Sequence, residues 1–146
     1  MPHAFIVRAA DWNLDAAAIA AVRRSVFIDE QGVPEAMEWE SIDPLCHWFV
    51  ATTPGQRVIG IVRLTDAGRI GRMAVLPDWR RCGVGRALLT AVLEAARGLG
   101  FGRVHLSAQT HALPFYAAHG FSAEGPEYQD AGIPHRSMNL DLRDWA

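Results

Sequence analysis

Val75-Leu76-Pro77-Asp78-Trp79-Arg80-Arg81-Cys82-Gly83-Val84-Gly85-Arg86-Ala87-Leu88-Leu89 is the stretch on which the reading of the fold turns. An extended run ends at Pro77, which cannot donate to a sheet ladder. The chain turns, and a helical period opens on Gly83-Val84-Gly85. The first N–H groups of a helix have no partner in the helix and carry partial positive charge. Glycines there let a large anion approach the backbone closely. Arg80, Arg81 and Arg86 add formal positive charge at the same place, so the loop suits a pyrophosphate. By itself the Gly-x-Gly fits equally a helix start that holds no ligand. Two familiar phosphate loops are excluded. No Gly-Lys-Ser/Thr triplet occurs, and the dinucleotide fingerprint needs a third glycine where Leu88 stands.

Outward from this stretch, residues 83–99 read as a helix. Val84, Leu88, Ala91, Val92, Ala95 and Leu99 form its apolar stripe, and Arg86, Thr90, Glu94 and Arg97 its polar face. Upstream, residues 47–52, 58–65 and 69–76 read as strands, with turns at Pro54-Gly55 and Asp66-Ala67-Gly68. Such short turns imply antiparallel hairpins. Residues 4–8 read as a strand. A helix follows, with Leu14, Ala18, Val22 and Val26 on one face, and Gly32 and Pro34 end it. The acidic segment 34–44 reads as a loop or broken helix. Downstream, residues 103–108 read as a strand and residues 111–119 as a short helix that starts late because of Pro114. Further strands begin at Phe121 and at Arg136. The order predicts an α+β domain: a meander, a strand–helix–strand crossover and a closing hairpin, giving a twisted mixed sheet with helices on both faces.

The length of 146 residues fits a single domain, residues 1–146. Half the residues are hydrophobic and 21% are charged, enough for a real core. The formal net charge of −2 lacks the basic excess of a nucleic-acid binder. No apolar run is long enough to span a bilayer, and residues 1–10 lack a signal peptide's apolar stretch. Cys46 and Cys82 suit a reducing compartment. A cytoplasmic protein without nucleic-acid or membrane partners is expected.

Arg80-Arg81-Cys82-Gly83-Val84-Gly85 resembles the Arg/Gln-x-x-Gly-x-Gly/Ala signature of the GCN5-related N-acetyltransferase (GNAT) superfamily. Ala112-x-x-Phe115-Tyr116-x-x-x-Gly120-Phe121 resembles its second recurrent motif. The separation of the motifs and the order of elements agree over nearly the whole chain. The segments Val26-Phe27-Ile28-Asp29-Glu30-Gln31 and Gly132-Ile133-Pro134-His135 further resemble a bacterial branch, the ElaA/YjcF-like acetyltransferases.

The resemblance implies a GNAT-like acyl-CoA N-acyltransferase fold. Acetyl-CoA would lie in a V-shaped gap between strands 69–76 and 103–108. Backbone groups of Met73, Ala74 and Val75 would pair with the pantetheine arm. The N–H groups of residues 81–87, including Gly83, Val84, Gly85, Arg86 and Ala87, would hold the pyrophosphate, with Arg80 and Arg81 beside them. Gln109, Ala112 and Phe115 of the second motif complete the implied cofactor set. Tyr116 is the implied general acid that protonates the departing thiolate. Glu30 and His135 rank first as general base, ahead of Glu38, Glu40 and Asp43. The acidic segment could instead attract a cationic substrate or be a solvated loop. Two departures stand out. Arg81 replaces a common glycine, so a positive φ is not expected there, and Gln109 replaces a common asparagine.

The histidine and cysteine spacing resembles no zinc site, and no metal is expected. No Gly-x-Ser-x-Gly occurs, which disfavours a serine hydrolase. The reading is an acetyl-CoA-dependent N-acetyltransferase for a primary amine of a small molecule or peptide, with direct attack on the thioester. The alternative is a non-catalytic acyl-CoA-binding regulatory module. An exposed strand edge leaves a homodimer open.

Overall fold

The computed structural model describes residues 4–145. Four strands, β1 (Ile6–Ala9), β2 (His47–Thr52), β3 (Val58–Leu64) and β4 (Ile70–Val75), form an antiparallel sheet in that order. Three more, β5 (Arg103–Gln109), β6 (Ser122–Asp130) and β7 (Ile133–Asp141), form a second sheet in the order β5-β7-β6. The two sheets meet at one parallel bridge between Arg69 and His105, where His105 N–H donates to Gly68 O at 3.0 Å. The strand–helix–strand crossover that joins them is helix α3 (Val84–Gly98).

A bulge explains why β4 and β5 part after that bridge. Ile61 faces Ala74 while Arg63 faces Gly71, so β4 carries one extra residue against β3. Arg72 takes up that residue with a φ of 49°. A bulge bends its strand and raises the local twist, which carries β4 away from β5.

Helix α3 covers one face of the split sheet and buries Val84, Leu88, Leu89, Val92, Leu93 and Ala96. The expected stripe was therefore turned too far: Leu99 is 54% exposed, and Leu89, Leu93 and Ala96 take the inner positions. The physical reason is that α3 spans both sheets and packs with residues of each, including Val62 and Leu64 of β3, Val104 and Leu106 of β5, and Met138 of β7. Gly60 lets it come close. A Cβ there would stand 2.9 Å from Val84 Cγ1 and 3.0 Å from Leu88 Cδ1.

On the other face lies helix α1 (Trp12–Arg23), continued by a wider turn over Arg24–Glu30 in which Gln31 N–H reaches back five residues to Val26 O. Ile19, Val22 and Val26 pack on Trp48, Val50 and Ile61. Leu14, expected on this face, is 81% exposed. Its place is taken by buried charged residues, Asp15 and Arg23, each with an ion-pair partner. Asp15 accepts from Arg8 at 2.8 and 2.9 Å, and Arg23 is 1% exposed. Apolar periodicity has no means of marking such positions.

The acidic segment is likewise neither a solvated loop nor a free anionic patch. It forms a short helix, α2 (Glu35–Glu38), and a turn that insert Glu38 and Asp43 under the sheet. Arg23 donates to Glu38 Oε2 at 2.7 Å and to Asp43 Oδ2 at 2.8 Å. Arg63 donates to Glu40 Oε1 at 2.7 Å and to Asp43 Oδ1 at 2.9 Å. Arg72 Nε lies 3.0 Å from Glu38 Oε2, and its Nη2 lies 3.1 Å from Glu40 Oε1. Three guanidiniums thus meet three carboxylates, so the acidity of the segment is matched and the residue at the β4 bulge is held in place.

Candidate functional site

The parted strands enclose a cleft of about 730 Å³. Met73, Ala74 and Val75 of β4 form one wall, and Leu106, Ser107, Ala108 and Gln109 of β5 the other. Gly85 of α3 closes one end, together with Ala112 and with Phe115 and Tyr116 of helix α4 (Leu113–Ala117). Phe27, Glu30 and Gln31 reach over from the end of the first helix, and Ile133 and His135 from β7. The two motif regions are thereby brought to one cavity although the chain separates them by a whole helix and strand.

The loop before α3 needs two left-handed residues. Gly83 has a φ of 84° and Arg81 a φ of 63°, which corrects the expectation that Arg81 would avoid this region. The turn demands that geometry whichever residue occupies it, and in arginine it is strained. Gly83 caps the helix without a side-chain hydrogen bond. The N–H groups of Val84, Gly85 and Arg86 find no protein acceptor among the described residues. Ala87, expected among the donors, is not one, because its N–H donates to Gly83 O at 3.0 Å as the first bond of the helix. The free donors therefore end at Arg86.

The cations at this end divide into two kinds. Arg81 and Arg86 are exposed, and neither makes an ion pair among the described residues. Arg80 is matched: its Nη1 and Nη2 donate to Glu30 at 2.7 and 2.6 Å, and its Nε donates to Val75 O at 2.9 Å. The Arg80 guanidinium holds the Glu30 carboxyl below its ordinary value.

Tyr116 is packed edge-on against Phe115 and Phe121, with ring centroids 5.1 and 5.9 Å away. Its hydroxyl lies 3.8 Å from Met73 Sδ on the cleft wall. Burial pushes its pKa up to about 12, so the phenol is protonated at neutral pH.

His135 is 8% exposed and sits opposite Gln109 on β5 and Tyr128 on β6. Its Nδ1 lies 2.7 Å from Ile133 O. A carbonyl only accepts, so Nδ1 carries the proton and neutral imidazole keeps its lone pair on Nε2. The Tyr128 ring stacks on it at 6.2 Å, and the Tyr128 hydroxyl is hydrogen-bonded to Ser107. A two-residue turn, Ala131 and Gly132 with φ of 52° and 77°, sets this register.

Gln31, Ser107, Tyr128 and Arg72 join the site without having been singled out by role. Gln31 accepts from Gln109 Nε2 at 2.9 Å, bridging the first helix and β5. Their pairings span long stretches of chain, so nothing local signals them. A partial signal existed for the charge cluster: Arg63 interrupts an apolar strand, and a charged residue in a buried strand needs a partner.

The profile of the acetyltransferase (GNAT) domain family matches residues 13–142. The uncharacterized N-acetyltransferase YjcF of Bacillus subtilis is 36% identical over 124 residues, covering 82% of this chain and 88% of its own. Among solved structures, an acyl-CoA N-acyltransferase from Pseudomonas aeruginosa superposes with a TM-score of 0.80 at 29% identity, over 94% of this chain and 99% of its own. Escherichia coli ElaA shares the fold with a TM-score of 0.84 at 22% identity, over 94% of this chain and 100% of its own. The cleft between parted strands and the open helix start agree with these likenesses. The chain belongs to the GCN5-related N-acetyltransferase superfamily, in its ElaA/YjcF-like branch, and is an acyl-CoA-dependent N-acyltransferase.

Proposed function

We propose that the protein transfers an acetyl group from acetyl-CoA to a primary amine of a small molecule or peptide, by direct attack of the amine on the thioester. The observation that carries this reading is the cleft between β4 and β5. It has helix N–H groups without a partner among the described residues at one end, and the protonated Tyr116 hydroxyl on its wall.

The residues present fit the donor. The N–H groups of Val84, Gly85 and Arg86, with the exposed guanidiniums of Arg81 and Arg86, would hold its diphosphate. The β4 edge at Met73, Ala74 and Val75 lies beyond its bridge to β5, so those backbone groups not taken by β3 or, at Val75 O, by Arg80 would pair with the pantetheine amides. Gln109, Ala112 and Phe115 line the same cleft. When bound, the donor supplies an activated acyl carbon and a thiolate leaving group.

His135 is the proposed proton acceptor. In the neutral ring Nε2 carries the lone pair, Nδ1 is tied to Ile133 O, and the Tyr128 ring stacks on one face. The attacking nitrogen forms a bond to the acyl carbon and gives up a proton to Nε2. The carbon–sulfur bond breaks, the sulfur takes a proton from the Tyr116 hydroxyl, and the cycle closes when His135 gives up its extra proton to solvent and the phenolate takes one back. Glu30 is not given this role, because Arg80 engages both of its oxygens and holds it ionised. The free thiols Cys46 and Cys82 support a reducing, cytoplasmic setting.

Incubation with acetyl-CoA and a panel of amines and peptides tests the reading, with free thiol as readout. Thiol release that depends on an amine is expected. Binding of coenzyme A without release by any acceptor would identify a regulatory acyl-CoA-binding module instead.

A further inference from the structure

The Arg80 side chain is the meeting point of three segments. Its two terminal nitrogens grip the Glu30 carboxylate, which comes from the end of the first helix, and its Nε holds Val75 O, the last carbonyl of β4. Arg80 itself opens the loop that leads into α3. This loop runs through Arg81 and Gly83, both left-handed, at φ of 63° and 84°. A non-glycine residue in that region persists only where its surroundings determine the local shape.

Glu30 is placed for this by the widened turn over Arg24–Glu30, a distortion that recurs at functional sites. The next residue, Gln31, accepts from Gln109 on β5 at 2.9 Å. Adjacent residues of one helix end therefore fasten to the phosphate loop and to the opposite cleft wall.

We propose that Glu30 is a positioning residue for the acyl-CoA donor. By holding Arg80 in a two-pronged grip, its carboxylate keeps the loop in the shape that presents the free N–H groups of α3 to the diphosphate. The inference rests on the reading above, in which those groups bind the donor. Loss of the carboxylate has two opposed effects. It unmasks the charge of Arg80, which would attract phosphate, and it releases the loop. The exposed charge acts through water and is screened by salt, whereas each N–H must meet a phosphate oxygen within hydrogen-bond distance. The loss of shape therefore prevails, and the variant binds the donor more weakly despite its extra net positive charge.

Calorimetric titration of free coenzyme A into the wild type, Glu30→Gln, Arg80→Lys and the double variant tests this. Glu30→Gln is expected to weaken binding roughly five- to tenfold. Arg80→Lys keeps the charge but loses the fork and the Val75 bond, so it should weaken binding to a similar degree. The double variant should lose no more than the worse single variant, because both remove one clamp. At saturating donor, kcat of Glu30→Gln should keep the wild-type pH profile while KM for acetyl-CoA rises. Equal or tighter binding by Glu30→Gln would overturn the proposal. So would unchanged binding with a lost acidic limb of kcat, which would make Glu30 a proton acceptor. Melting temperatures within about 3 °C of wild type are expected for an exposed pair. Should Glu30→Gln melt early, Arg80→Lys carries the same comparison. Failure of the wild type itself to bind coenzyme A would overturn the donor-site reading as well, and is thus distinguishable.

Discussion

Tyr116 shows how one side chain acquires a chemical state from its surroundings. In water a phenol titrates near 10, and burial among Met73, Phe115 and Phe121 moves this one to about 12. It is accordingly a proton donor throughout the neutral range. Tyr116→Phe removes only the hydroxyl, so kcat should fall about a hundredfold while coenzyme A affinity stays within about twofold. Single-turnover kinetics and calorimetric titration check the two halves of this prediction. An undiminished kcat would strip Tyr116 of the acid role. The residue was legible in the sequence through Phe115-Tyr116 and Gly120-Phe121. The partner of Glu30 was not, since Arg80 lies 50 positions away and the pair forms only when the first helix crosses the sheet.

At the scale of elements, the site depends on where α3 begins. The helix approaches β3 at Gly60, with Val84 and Leu88 directly over it. Gly60→Ala places a methyl group within 3.0 Å of both side chains, so Val84 and Leu88 must give way, and an outward shift of the first turn of α3 that carries them is expected. Overpacking of this kind costs about 1–3 kcal/mol. Because the displaced turn carries the free N–H groups, coenzyme A affinity should fall together with stability. Urea denaturation and titration of the same variant would show whether the two losses go together. The apolar pattern of α3 was visible in the sequence, yet its inner face was misjudged by part of a turn. One sheet would have required one stripe, and α3 in fact packs with two. The β4 bulge left no sequence mark, because the left-handed Arg72 is tied to Glu38 and Glu40, more than thirty positions earlier in the chain.

For the molecule as a whole, the acidic segment is bound to the sheet by the cluster of Arg23, Arg63, Arg72, Glu38, Glu40 and Asp43. Burial acts to raise the Asp43 carboxyl, but hydrogen bonds from Arg23 and from the Glu40 backbone, with the Arg63 contact, outweigh it and leave it lowered. Glu40 is lowered likewise, its burial being outweighed by Arg63 and Arg72. Both groups therefore bind protons more weakly when folded than when unfolded. Their contribution to stability is fully present above their ordinary values of 3.8 and 4.5, and it is lost as pH falls toward the folded values. Urea midpoints should thus hold steady from pH 7 to about pH 5 and drop below it. Asp43→Asn should destabilise by about 3–5 kcal/mol at pH 7, since it leaves two buried guanidiniums short of charge. The drop with acid should be shallower in that variant than in the wild type.

The sequence by itself determined the order of elements, the two motifs and the chemistry of the helix start. Each of these follows from neighbours within a few turns of chain: a proline that stops a strand, glycines that open a helix, an apolar repeat. Only the tertiary structure decided that the acidic segment is a buried, charge-matched cluster, that Arg81 turns left-handed, and that Glu30 belongs to Arg80. The reason is that hydrogen bonding and burial between segments far apart in the chain set the state of a charged side chain, and local periodicity carries no record of which segments will meet.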